Sequence, residues 1–262
     1  MKHQPLSALP FDLPHELAPL LSGARIYDSS SSPAARVYFL DKDEGYYLKR
    51  AARGTLAREA QMTAFFHSLG LGSQVVRYTS TDAHDLLLTV RLRGEDGVHP
   101  KHLAEPKRLC DVFATALRAL HETRVKDCPV PNRTQDYIDT VYKNARRGQF
   151  DLSLFGDEYP FRSAEEALFV FEDGKSSLSC DVLLHGDYCL PNIVLSDFRP
   201  SGFIDLGCGG IGDRHIDVFW GLWTLWYNLG THALDGRFLD AYGRDAVRTE
   251  LLRVIAAAEV FG

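Results

Sequence analysis

Three polar residues stand at the ends of short apolar runs within one stretch of the chain: Asp187 after Val182 to Leu184, Asn192 before Ile193 to Leu195, and Asp205 after Phe203 and Ile204. Their types suit phosphoryl transfer, which needs a carboxylate to orient an attacking hydroxyl and oxygen ligands to hold Mg²⁺ against phosphates. The turn-rich Ser196 to Gly202 can fold the last apolar run back beside the one before it. That folding would gather the three side chains at one rim. The competing reading is a surface hairpin whose Asp and Asn are ordinary turn residues, and the remainder of the chain weighs against it by supplying the other parts of the same chemistry.

His185-Gly186-Asp187, then Asn192, then Ile204-Asp205-Leu206-Gly207 resembles the catalytic and metal-binding loops of the aminoglycoside phosphotransferase family, relatives of the protein kinases. The resemblance implies a protein-kinase-like two-lobe α+β fold with ATP as phosphoryl donor and Mg²⁺ as cofactor. It makes Asp187 the catalytic aspartate, Asn192 and Asp205 the Mg²⁺ ligands, and His185 a buried support of the loop rather than a base.

The nucleotide half of such a site needs a cation. In Tyr46-Tyr47-Leu48-Lys49, alternation puts Tyr47 and Lys49 on one strand face. Ten residues on, Leu56 to Leu69 reads as a helix with Met62, Phe65, Phe66 and Leu69 in its apolar stripe and Glu59 on much the same side. A carboxylate beside an apolar stripe is costly unless paired, and Lys49 is the apt partner; the alternative is a solvated Glu59 beside Arg58. The resemblance implies the strand-lysine to helix-glutamate pair that positions the α- and β-phosphates. Ser32, closing the serine run from Ser29, is similar to part of the phosphate-covering loop of 3'-type members, which lack the glycine-rich form. Tyr47 suits adenine stacking or plain packing, and Arg91 and Leu92, at the end of the strand Leu86 to Leu92, are candidates for main-chain bonds to the adenine edge.

At 262 residues the chain can build one large domain or two joined lobes. A net charge of -6 leaves no electrostatic footprint for nucleic acid or anionic lipid, and the acidity suits a cationic substrate. Five cysteines without a C-x-x-C pair favour a reducing compartment. Prolines break the apolar residues of Met1 to Leu21, and no run of about 18 apolar residues exists, so a cytoplasmic location is expected. No protein partner is implied.

Residues 1–93 read as a small β-rich, nucleotide-binding lobe: Ala35 to Leu40 and Tyr46 to Lys49 are strands joined by the polar Asp41 to Gly45. Residues 94–262 read as a larger, mostly helical lobe for catalysis and substrate binding, with helical spacing from Pro106 to His121 and again from Asp217 onward. The polar Arg93 to Gly97 suits a hinge, and a cleft between lobes is the natural nucleotide site.

For the acceptor, the resemblance implies an aminoglycoside phosphorylated on its 3'-hydroxyl, with antibiotic resistance as the outcome. Asp151 to Gly174 reads as an acidic, mobile insertion in which Asp157 and Glu158 are candidate ligands for ammonium groups. Glu259 and Phe261 match a closing tail whose carboxylates meet the drug, with Ala258 departing from it. The resemblance also implies that Asp217 anchors the catalytic loop internally, that Asp213 is a loop residue and that His121 is structural. Trp220, Trp223 and Trp226 recur every third residue; core packing is the first expectation, an aromatic box for a cation the second. Two departures bear on the acceptor: Cys208 stands where many members place arginine, and Val218 to Leu229 is aromatic where they carry acids. A kinase of the same fold acting on another sugar, an amino alcohol or a macrolide therefore stays open. A nucleotide-binding pseudokinase is disfavoured, since Lys49, Asp187 and Asp205 are all present.

Overall fold

The computed structural model describes residues 4–30, 32–153 and 158–262; the candidate Asp157 lies outside them. In chain order the elements are β1 (Gln4–Leu6), α1 (Ala18–Leu21), β2 (Arg25–Asp28), β3 (Ala35–Asp41), β4 (Tyr46–Ala52) and α2 (Ala57–Ser68). There follow β5 (Val75–Ser80), β6 (His84–Val90), β7 (Glu95–Asp96), α3 (Pro100–Leu103), α4 (Pro106–Glu122), α5 (Arg133–Arg146) and α6 (Ala164–Gly174). The rest comprises β8 (Val182–Leu184), β9 (Ile193–Ser196), β10 (Arg199–Phe203), β11 (Gly210–Gly212), α7 (Arg214–Leu229), α8 (Asp235–Tyr242) and α9 (Thr249–Glu259). Two compact units result, Met1–His99 with Pro191–Gly207, and Pro100–Leu190 with Cys208–Gly262.

The first unit is built on an antiparallel sheet ordered β1-β2-β3-β4-β6-β5. Alternation sorts its two faces. Tyr38, Leu40, Leu48, Leu86 and Leu88 share a buried cluster with Leu17 and Leu21, whereas Leu87 packs with Leu56 and Ala60 at the start of α2. Because Lys49 pairs in register with Leu87, it lies on the face that α2 covers. The helix start is fixed from the sheet: the buried Asp85 of β6 accepts the Leu56 N–H at 3.0 Å, taking a donor that no cap on α2 itself satisfies.

In the same unit β9 and β10 form the expected hairpin, and both turn residues, Asp197 and Phe198, have positive φ. That is the signature of a tight turn matched to strand twist. The polar segment Arg93 to Gly97 carries β7, which pairs with β9. Gly94 makes this possible: at φ 119 a Cβ there would come within 2.3 Å of the Leu195 carbonyl oxygen, so only glycine allows the backbones to approach.

The second unit is mainly helical. Helix α4 follows the predicted spacing, with Leu109, Phe113, Leu117 and Leu120 buried, and Phe113 meets Phe238 of α8 at 6.0 Å. Helices α5 and α6 were not foreseen, and α6 corrects the reading of a mobile insertion over Ala164–Gly174. Ser163 caps it by accepting the Glu166 N–H at 3.2 Å, and Ala167 and Phe171 are buried. Among the described residues no helix is long and apolar enough to cross a membrane.

Candidate active site

Lys49 Nζ donates to both carboxylate oxygens of Glu59, at 2.9 and 2.8 Å, and to Asp205 Oδ1 at 2.9 Å. Burial alone would lower the lysine's pKa, but the charges of Asp205 and Glu59 outweigh it and the net shift is upward. The lysine is therefore held protonated. Glu59 is raised by burial, an effect that Lys49 offsets only in part. Asp205 reaches this triad from just after β10 with φ 58, a left-handed conformation costly for most residues and best tolerated by Asp and Asn. Its side chain is 49% exposed, open to a ligand while Lys49 holds one oxygen. The preceding Ile204 N–H donates to the Asn192 carbonyl at 3.0 Å, so the backbones carrying Asn192 and Asp205 are bonded side by side.

Tyr47 packs against Phe39, ring centroids 5.2 Å apart, and burial pushes its phenol up to about 12. Ser32 bridges to Ala35 at the entry to β3, and its hydroxyl accepts the Ala34 N–H at 3.2 Å. Strand β6 ends at Val90, two residues earlier than expected. The Arg91 N–H is already bonded to the Gly45 carbonyl at 2.9 Å, so that group does not serve the main-chain bond to adenine expected of Arg91. Leu92 beyond it keeps a free main-chain N–H among the described residues.

In the second unit the loop bearing Asp187 hangs from one buried carboxylate. Asp217 accepts the His185 N–H at 2.8 Å and the Gly186 N–H at 2.7 Å. His121 Nε2 lies 3.1 Å from the same side chain, and its Nδ1 is 2.7 Å from the Tyr242 hydroxyl. Gly186 has φ 83, and a Cβ there would meet the Cys208 carbonyl at 1.9 Å; the loop thus requires glycine. The Asp187 N–H points to His185 Nδ1 at 3.3 Å. Asp187 Oδ1 accepts the Cys189 thiol at 3.4 Å, and Thr224 of α7 accepts the Leu190 N–H at 3.2 Å. Asp213 caps α7 by accepting the His215 N–H at 2.8 Å, so the helix starts at Arg214, three residues before the start expected at Asp217.

The acceptor candidates fare unevenly. Glu158 is partly exposed, 3.8 Å from His232 Nδ1, with its pKa raised by burial. Glu259 is only 9% exposed. Its Oε1 accepts the Tyr137 hydroxyl at 2.8 Å and the Trp220 indole N–H at 3.0 Å. Burial raises its pKa, and these two bonds and the charge of Arg133 offset the rise only in part. Phe261 is 2% exposed and donates no surface; its carbonyl accepts from Asn144 at 2.8 Å, so its ring is a packing element. The tryptophans depart from the core expectation: Trp220, Trp223 and Trp226 are all partly exposed. Tyr137, Cys189 and Thr224 escaped the sequence reading. Tyr137 had a signal in the helical spacing of Tyr137 and Val141.

The likeness to known proteins is extensive. The chain is 48% identical over 249 residues to a probable aminoglycoside 3'-phosphotransferase of Lactococcus lactis subsp. lactis, covering 95% of each, and the model of the phosphotransferase enzyme family matches residues 30–252. The chain belongs to the aminoglycoside phosphotransferase family. It is accordingly a phosphotransferase, as the order of its loops implied. Among solved structures, an aminoglycoside-3'-phosphotransferase of type VIII matches with a TM-score of 0.80 at 23% identity, over 94% of this chain and 97% of that one. A Streptomyces rimosus aminoglycoside phosphotransferase in complex with ADP and streptomycin matches with a TM-score of 0.70 at 21% identity, over 88% and 92%. The fold of this phosphotransferase is the kinase-like α+β fold.

Proposed function

We propose that this phosphotransferase moves the γ-phosphoryl group of ATP to the 3'-hydroxyl of an aminoglycoside, releasing ADP and a phosphorylated drug, and thereby confers antibiotic resistance. Similarity to a probable aminoglycoside 3'-phosphotransferase over 95% of both chains supports the acceptor. The observation that carries the chemistry is the ammonium of Lys49 clamped between Glu59 and Asp205. A lysine so held keeps its charge and a fixed direction, which suits it to the α- and β-phosphates of ATP.

In this reading residues 1–93, joined by Pro191–Gly207, carry the nucleotide, while the rest of 94–262 carries Asp187 and the acceptor. Glu59 works through Lys49 as its positioning partner, Ser32 lies by the phosphates, and Leu92 N–H rather than Arg91 N–H meets the adenine edge. Asn192 and Asp205 would hold Mg²⁺. Their amide and carboxylate oxygens are hard donors suited to it. Among the described residues no group of three His, Cys, Asp or Glu side chains could hold a metal, so phosphate and water would complete the shell, as Mg²⁺ prefers. When bound, the ion neutralises phosphate charge.

Asp187 orients the acceptor hydroxyl and takes its proton as the oxygen bonds to phosphorus. Asp217 keeps that carboxylate in place by fixing the two preceding backbone N–H groups. Glu158, Asp157 and Glu259 supply negative charge for the acceptor's ammonium groups. Because Asp217 is the sole acidic residue of α7, a second reading stands beside this one: another hydroxyl compound, such as a sugar, an amino alcohol or a macrolide. ADP release measured across aminoglycosides, macrolides, sugars and amino alcohols tests the choice: turnover confined to aminoglycosides is expected, and turnover confined to another class overturns the acceptor while leaving the chemistry.

A further inference from the structure

Helix α7 offers a feature that the phosphoryl-transfer chemistry does not use. Trp220, Trp223, Thr224 and Tyr227 are spaced i, i+3, i+4 and i+7 and so share one face of the helix. Thr224 on that face binds the catalytic loop through the Leu190 N–H, so this face of α7 is turned toward the segment that follows Asp187. Trp220 meets Trp223 edge to face at 5.3 Å, and Trp223 stacks on Tyr227 at 4.9 Å with 15° between planes. Tyr227 is 66% exposed. A solvent-facing tyrosine stacked on an indole is a rigid flat surface, not a core.

Charge complementarity says what would cover it. The Trp220 indole N–H is bonded to Glu259, a buried carboxylate whose other hydrogen bond comes from a neutral hydroxyl and whose charge is favoured by Arg133 and opposed by Asp187. The wall is thus flat and apolar with negative charge at its inner end. A saturated ring bearing ammonium groups complements both: its C–H face lies on aromatic rings, and its cations are drawn to ring faces and to carboxylate.

Resting on the acceptor proposed above, we infer that Trp220, Trp223 and Tyr227 form a stacking wall for one ring of the aminoglycoside, which this enzyme reads through ring faces as well as carboxylates. The wall determines acceptor affinity; Asp187 still does the chemistry.

Steady-state kinetics with kanamycin and ATP, on wild type and on Tyr227→Ala, Tyr227→Phe and Trp223→Ala, test the inference. A cation over a ring contributes enough that Tyr227→Ala should raise the KM for kanamycin roughly threefold to thirtyfold, with the KM for ATP unmoved, and Tyr227→Phe should recover most of the loss. Trp223→Ala should do at least as much. Because Tyr227 is exposed, its variants decide the matter even where Trp223→Ala fails to fold. Titrating kanamycin without ATP should also give a saturable change in tryptophan emission. An active wild type with the same KM in Tyr227→Ala overturns the wall alone, whereas a wild type inactive on every aminoglycoside overturns the acceptor reading and the wall with it. Light scattering that shows a dimer, lost in Tyr227→Ala, would assign the wall to a second copy of the chain and equally overturn the inference.

Discussion

Glu59 in the first unit and Glu259 in the second are buried to nearly the same degree, 8% and 9% exposed, yet they are kept in opposite ways. Glu59 has a lysine on both of its oxygens. Glu259 has a tyrosine hydroxyl and an indole N–H on one. A buried carboxylate with a cation bonded to it has part of its cost offset within the protein, and the arrangement stands before any ligand arrives. One held by neutral donors keeps a net cost when ionised, and an incoming cation would relieve it. Glu59 thus shares a full positive charge with Asp205, whereas Glu259 is hydrogen-bonded by neutral donors and feels the charge of Arg133 without a bond to it.

The sharpest break between the two sides should appear in which kinetic constant a substitution moves. Asp187→Ala should reduce turnover by about 10²–10⁴-fold, the usual size of a lost general base, with the KM for ATP little changed. An alanine variant that keeps more than about a tenth of wild-type turnover contradicts the role, since that lies well outside the range. On the nucleotide side, Lys49→Ala should raise the KM for ATP above all. Lys49 and Glu59 are in contact, so a double-mutant cycle with Glu59→Ala should give a coupling of roughly 1–3 kcal/mol. Additivity would mean that the pair does not act as one.

The Lys49 to Glu59 pair was legible because a charge beside an apolar stripe must be answered, and alternation left one cation on the right face. The hairpin was legible from its turn residues. What stayed hidden depended on long-range placement: Asp85 fixes α2 from a different element, and Tyr137 reaches Glu259 across 122 residues of sequence. Helix α5 buries only Thr134, Tyr137 and Val141, too thin a stripe to stand out from a polar segment. Helix α6 did carry a signal, since Ser163-Ala164-Glu165-Glu166 is a capping pattern, but its acidity drew the reading toward a solvated insertion. Phe261 looked like a ligand contact by resemblance, and burial removed its ring from the surface.

Smaller effects sharpen the same contrast. Asp217→Asn replaces one acceptor oxygen by a donor facing backbone N–H groups, and one unsatisfied buried donor costs about 1–3 kcal/mol. Thermal unfolding should show a loss of several degrees, and an unchanged midpoint would remove Asp217 as the loop's anchor. Smallest is Glu259→Gln, which keeps an acceptor for Tyr137 and Trp220 while removing the charge. The folded-state pKa of Glu259 is raised by burial, so the folded protein binds the extra proton more readily than the unfolded chain does. Stability in wild type then falls as pH rises from the ordinary carboxylate range through that raised value. The Gln variant should be the more stable near neutral pH, and its advantage should shrink on acidification. If the advantage instead grows as pH falls, Glu259 is compensated after all.

The most direct test of the central claim is analysis of the product formed from ATP, Mg²⁺ and kanamycin, with a congener lacking the 3'-hydroxyl run in parallel. The account predicts kanamycin carrying one phosphoryl group, located on its 3'-oxygen by phosphorus-proton correlation, together with stoichiometric ADP and no product from the 3'-deoxy congener. Kanamycin recovered unmodified, or a 3'-deoxy congener phosphorylated equally well, would contradict it.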